Sequence, residues 1–171
     1  MTKNDVLKVA LLCGALLIVS AIWLKPSSQT TTPTPINPTA SETTKLCFYR
    51  ETGTTMKDIA WLTLTINNTA TSGEFHILPA EKDKKIGPYT GTIESNPTMA
   101  AVRATWTASA EGMTNPEELI FVVDAEGAHI GFGGMKDRGD GTYVYIDTKN
   151  LTYMDLPPVD CAQVASLETK M

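Results

Sequence analysis

Strict alternation of apolar and polar residues governs the chain from Cys47 onward. In AAVRATWTASA (100–110), Val102, Ala104, Trp106 and Ala108 fall on one side and Arg103, Thr105 and Thr107 on the other. IAWLTLTI (59–66) repeats the pattern, with Ala60, Leu62, Leu64 and Ile66 opposite Trp61, Thr63 and Thr65. A period of two puts one face of a β-strand toward a core, and it fits no helix of 3.6 residues per turn. Further strand segments are TATSGEFHI (69–77), PYTGTIE (88–94), EELIFVVD (117–124), AHIGFGG (128–134), TYVYID (142–147) and LTYM (151–154). Turn signals separate them, among them Asn67-Asn68 and Ala125-Glu126-Gly127,. Only MTNPEEL (113–119) carries a helix start, with Asn115 as cap and Pro116 at the first position, and one turn of helix is predicted there,.

Seven to nine short strands joined in sequence predict an all-β fold, a small antiparallel meander barrel analogous to the avidin and lipocalin barrels. A β-sandwich is the alternative. The cysteines favour the barrel. Cys47 and Cys161 stand at the two edges of everything that alternates, and closure would bring the first and last strands together. A disulfide between them would close a loop worth on the order of 4–5 kcal/mol of chain entropy. An immunoglobulin-type sandwich instead carries its bridge between mid-chain strands.

The 45 residues before this domain, residues 46–161, have a different character. Val9–Leu24 is an uncharged run of sixteen residues, about 24 Å long as a helix and a little short of a ~30 Å hydrocarbon core,. Residues 1–25 are therefore read as an N-terminal transmembrane signal-anchor that ties the protein to a membrane. Cleavage near Ala21, which would release a secreted product, is the alternative. A lipoprotein site at Cys13 is set aside because Leu12 stands where a small residue is wanted. Residues 26–45 (PSSQTTTPTPINPTASETTK) lack the apolar groups that ordering requires, and read as a disordered, extended stalk,. Residues 162–171 are read as a tail.

Between Cys47 and Cys161 there are sixteen acidic side chains against nine basic ones, a poor match to nucleic acid,. The lysines of the 78–87 loop, Lys82, Lys84 and Lys85, alternate with Glu81 and Asp83 and read as a solvated surface. No nucleophile, base and acid arrangement, phosphate loop or zinc spacing is seen, so no catalytic, cofactor or metal residue is assigned. His76 and His129 are single strand histidines, and Glu117 and Glu118 would face opposite sides of their strand. Asp137 and Asp140 lack the twelve-residue spacing of a calcium loop. The aromatic residues Trp61, Tyr89, Trp106 and Phe132 are the candidate ligand contacts, because rings supply large contact area.

CFYRE, LPAEKDKK, AEGM and DRGDGTYVY together resemble a group of uncharacterised bacterial envelope proteins, short exported domains behind a signal or lipoprotein segment. The resemblance spans about residues 47–161 and implies an extracytoplasmic, cell-envelope location without implying an activity. The chain departs from that group in having an apolar anchor and stalk in place of a lipid-modified cysteine. The expected function is a non-enzymatic envelope binding or structural module. Arg138-Gly139-Asp140 supports an alternative, an adhesion or protein–protein module. Its plainer reading is a turn, since it falls between two consecutive strands and Asp140-Gly141 tolerates positive φ.

Overall fold

The computed structural model describes residues 43–95 and 98–169. The apolar run Val9–Leu24 and residues 26–42 of the Thr/Pro segment lie outside the described residues. Among the described residues no helix is long and apolar enough to cross a membrane.

The strands are β1 (Thr44–Thr52), β2 (Asp58–Asn67), β3 (Ala70–Leu78), β4 (Lys85–Ser95), β5 (Ala100–Ala110) and β6 (Met113–Val123). Five short ones follow: β7 (Ala128–Phe132), β8 (Met135–Asp137), β9 (Tyr143–Tyr145), β10 (Thr152–Leu156) and β11 (Pro158–Val159). A helix, α1 (Cys161–Glu168), ends the described chain. One sheet runs in the order β10-β7-β6-β5-β4-β3-β2-β1-β11, with β9 on β6 and β8 on β9. From β1 to β7 each strand pairs antiparallel with the next in sequence, so the meander and the all-β class are as the alternation predicts. The described strands number eleven rather than seven to nine, because the last third of the chain is cut into short pieces.

The helix predicted at 113–119 is replaced by strand. Asn115 pairs with Ala108 and Pro116 with Thr107 in an unbroken β5–β6 ladder. Pro116 is tolerated because β7 joins β6 only from Phe121 and β9 meets it only at Glu117, so neither ladder on that flank pairs with Pro116 itself,. The two residues between β5 and β6, Glu111 (φ 51°) and Gly112 (φ 76°), are both left-handed, which is what a tight primed hairpin turn requires,.

The alternation places its faces correctly. Phe48, Leu62, Leu64, Phe75, Tyr89, Trp106, Phe121 and Ile130 share one face of the sheet and form its main core. Three buried aromatic residues, two of them in that core, also do the work of missing ladder bonds. Residues 63–64 and 73–74 are unpaired between Leu62↔Phe75 and Thr65↔Ser72, and there the Tyr89 hydroxyl donates to Thr63 O at 2.7 Å. Residues 87–88 and 107–108 are likewise skipped, and Trp106 Nε1 donates to Gly87 O at 3.0 Å. Gly131 lies just beyond the end of the β6–β7 ladder, and Tyr145 donates its hydroxyl to Gly131 O at 2.6 Å. Each ring fills core volume while its polar end satisfies a carbonyl that would otherwise be orphaned. Gly73 makes the first of these fit: a Cβ there would meet the Thr63 carbonyl and lie 2.9 Å from the Tyr89 hydroxyl.

A second, smaller cluster occupies the opposite face of β1 and β2. Trp61 is fully buried there with Cys47 and with Val164 of α1. The stretch read as a tail thus carries a helix that covers the sheet. Asp160 caps it, its side chain accepting from Ala162 N at 2.8 Å. The Cys47–Cys161 disulfide pins its first turn to β1, with Cα atoms 5.1 Å apart and a separation of 114 positions in sequence.

Candidate functional site

The four aromatic candidates do not converge. Trp61 faces away from the main core and stacks on His76 beneath α1, ring centroids 3.8 Å apart. Tyr89 and Trp106 are interior packing residues, Tyr89 edge-on to Phe121 and Trp106 tilted against Phe75. Of the four, only Phe132 borders a large, open cavity at one end of the sheet.

That cavity encloses about 720 Å³. It lies at the end of the sheet where β1 turns into β2 (residues 53–57) and β3 into β4 (residues 79–84). Its apolar wall comes from side chains in the core register: Ala60 of β2, Ile77 of β3, Phe132 of β7 and Met154 of β10. Met56 and Tyr153 stand at its rim, 60% and 52% exposed, where apolar surface of that size is costly to leave in water,. The two loops are tied together by Ala80 N, which donates to Asp58 Oδ1 at 2.9 Å. Gly53 (φ 91°) gives the first loop its reversal; a Cβ there would meet the Met56 carbonyl.

A smaller, more enclosed cavity of about 200 Å³ shares Ile77 and Phe132 with the first and reaches Trp106. At its edge Lys85 Nζ donates to Glu117 Oε2 at 2.5 Å and lies 5.1 Å over the Trp106 ring. Glu118, next in sequence, points to the other face, as expected of neighbours on a strand. It accepts from Arg103 and, at 3.0 Å, from Tyr145 N. The two carboxylates are each committed to a separate structural contact.

One lining residue was legible but was not singled out. Arg50 is two and four residues beyond Phe48 and Leu46, so it shares their inward phase, and it pairs with Ala60 across the ladder. A charge in the apolar phase of an alternating strand is the signal that points to it.

The Arg138-Gly139-Asp140 tripeptide forms the tip of the β8–β9 hairpin. Asp137 Oδ1 accepts from Gly139 N at 2.7 Å and Gly141 N at 3.2 Å, and Asp140 Oδ1 accepts from Thr142 N at 3.0 Å. Gly139 (φ 102°) and Gly141 (φ 81°) supply the left-handed positions. Arg138 Nη2 pairs with Asp140 at 2.6 Å, and the guanidinium with the Thr142 bond holds the Asp140 carboxyl down to about 2. Attachment through this tip would have to break that pair. Among the described residues no cluster of three or more His, Cys, Asp or Glu is arranged to hold a metal ion.

The two histidines differ sharply. His76 is buried, and burial lowers it to about 4; its Nδ1 and Trp61 Nε1 have no hydrogen-bond partner among the described residues. His129 lies between Asp155 (Nδ1 to Oδ1, 2.7 Å) and Asp124 (Nε2 to Oδ1, 3.1 Å), and those carboxylates raise it.

Comparison with family models, with curated proteins and with solved structures finds no match to this chain.

Proposed function

We propose that this protein is a non-enzymatic, membrane-tethered binding module of the bacterial cell envelope, whose sheet closes into a barrel that receives a small apolar ligand at one end. The observation that carries the binding role is the cavity of about 720 Å³, walled by Ala60, Ile77, Phe132 and Met154. Its volume and its apolar lining with a few polar groups are those of small-molecule sites. The middle of the interior is filled by Leu62, Phe75, Tyr89 and Trp106, so the ligand space is confined to one end.

Closure is supported by the two edge strands of the sheet. β10 pairs with β7 at one edge and β11 with β1 at the other, yet only Pro157 separates them in sequence. Tyr49 N donates to Pro157 O at 3.0 Å, so the link itself bonds to β1. A closed sheet exposes no long edge to a neighbouring chain. An extracytoplasmic location is supported by the disulfide, which persists in oxidising compartments, and by the apolar run Val9–Leu24,.

The test is binding of a neutral apolar fluorophore, N-phenyl-1-naphthylamine, to the full chain. Saturable enhancement that Ala60→Phe abolishes, with the far-ultraviolet spectrum unchanged, is expected. Equal enhancement in both proteins would remove the cavity from the account.

A further inference from the structure

The ligand class can be narrowed from the charges in the inward register, resting on the reading of the cavity as a binding site. Four charged residues share the core phase at this end of the sheet: Arg50, Asp58, Lys85 and Glu117. Three of them are satisfied within the chain. Lys85 and Glu117 pair with each other, and Asp58 accepts from Ala80 N. Arg50, half-buried on the wall of the large cavity, makes no hydrogen bond or ion pair among the described residues. An unpaired guanidinium beside Ala60 and near apolar side chains pays for lost hydration without return. Its planar fork of donors matches a carboxylate or another oxyanion two bonds at a time.

We propose that the cavity binds a single-chain amphiphile with an anionic head, the head on Arg50 and the acyl chain along Ile77, Phe132 and Met154. The chain would run toward the smaller cavity, which shares Ile77 and Phe132 with the larger. Lys85 does not compete for the head, because Glu117 already neutralises it, and the other cation on the cavity wall, Lys82 of the 79–84 loop, stands beside Glu81. Met56 and Tyr153, exposed at the rim, lose water contact when the chain is in place.

Isothermal titration of the full chain in lipid nanodiscs, with empty nanodiscs as blank, tests this with dodecanoate, dodecanol and dodecyltrimethylammonium. Dodecanoate is expected to bind at least about tenfold more tightly than dodecanol, the worth of one charge-assisted hydrogen-bond pair. Arg50→Gln should erase that advantage, while Arg50→Lys restores part of it. If Arg50→Gln holds dodecanoate as tightly as the parent while Ala60→Phe abolishes it, the head-group assignment falls and the cavity stands. Preference for dodecyltrimethylammonium overturns the assignment in the same way. If none of the three probes binds and N-phenyl-1-naphthylamine also fails, the cavity reading falls, and this inference with it.

Discussion

His76 on β3 and His129 on β7 both take the strand phase opposite the main core, yet their surroundings drive them in opposite directions. His76 is paired with Trp61 across β2–β3 and stacked on its ring, so burial holds it neutral down to about pH 4. His129 is paired with Asp155 across β7–β10 and reaches Asp124 in the β6–β7 turn, so two carboxylates favour its charged form. One histidine is governed by desolvation, although Glu74 Oε2 lies 3.3 Å from its Nε2, the other by Asp155 of the neighbouring strand and Asp124 of the β6–β7 turn. Desolvation and Coulomb attraction are the two opposing causes.

The largest way to break this contrast is to release the helix. Cys47→Ala with Cys161→Ala should lower unfolding free energy by on the order of 4 kcal/mol, read by urea denaturation, because the bridge closes a long loop. It should also let α1 leave Trp61, the ring on which His76 stacks, and the His76 pKa would then return toward 6.5 in an NMR titration. A His76 pKa that stays near 4 in that variant would show that α1 packs without its tether.

Trp61→Ala comes next. Removing a fully buried indole should cost about 3–4 kcal/mol,. His76 should again titrate near its ordinary value, since its stacking partner and much of its cover are gone.

The third effect is on acid stability. His76 has a folded pKa below its unfolded one, so its contribution is complete above about pH 6.5 and is lost as the pH falls toward about 4,. The loss should approach about 3 kcal/mol across that window. His76→Gln should flatten it, and a slope that survives in this variant would assign the acid sensitivity to other groups.

The smallest effect has the reverse sign. The raised pKa of His129 means that its ion pairs are complete below about pH 6.5 and are lost as the pH climbs through the folded value,. Asp155 is largely exposed, so the contribution should stay under about 1 kcal/mol,. Between pH 5.5 and 9, Asp155→Asn should reduce the drop. An unchanged profile would leave Asp124 as the dominant partner.

Both histidines were visible in the sequence as lone strand residues, and nothing near either of them in the chain separates the two cases. Strand phase tells which face a residue takes, and Trp61 was placed correctly opposite Leu62. It does not tell whether that face meets water or protein. The partner here is Val164, about a hundred residues away, on a stretch read as a tail. The site was half legible on the same grounds. Phe132 was singled out for its ring, but Tyr89 and Trp106 were drawn into ladder repair, a use invisible until the gaps at 63–64 and 87–88 are seen. Arg50 could have been read from its phase with Leu46 and Phe48.

By itself the sequence determined the period-two faces, the hairpin reversals at Asn67-Asn68 and Asp140-Gly141, and the two cysteines at the edges of the fold. These rest on backbone geometry and nearest neighbours, which a chain encodes locally. The tertiary structure alone decided that Pro116 would lie in a strand, that α1 would roof Trp61, and that Arg50 would line a cavity with no partner among the described residues. Those outcomes depend on which distant surfaces meet. That is settled by long-range packing, and no local pattern records it.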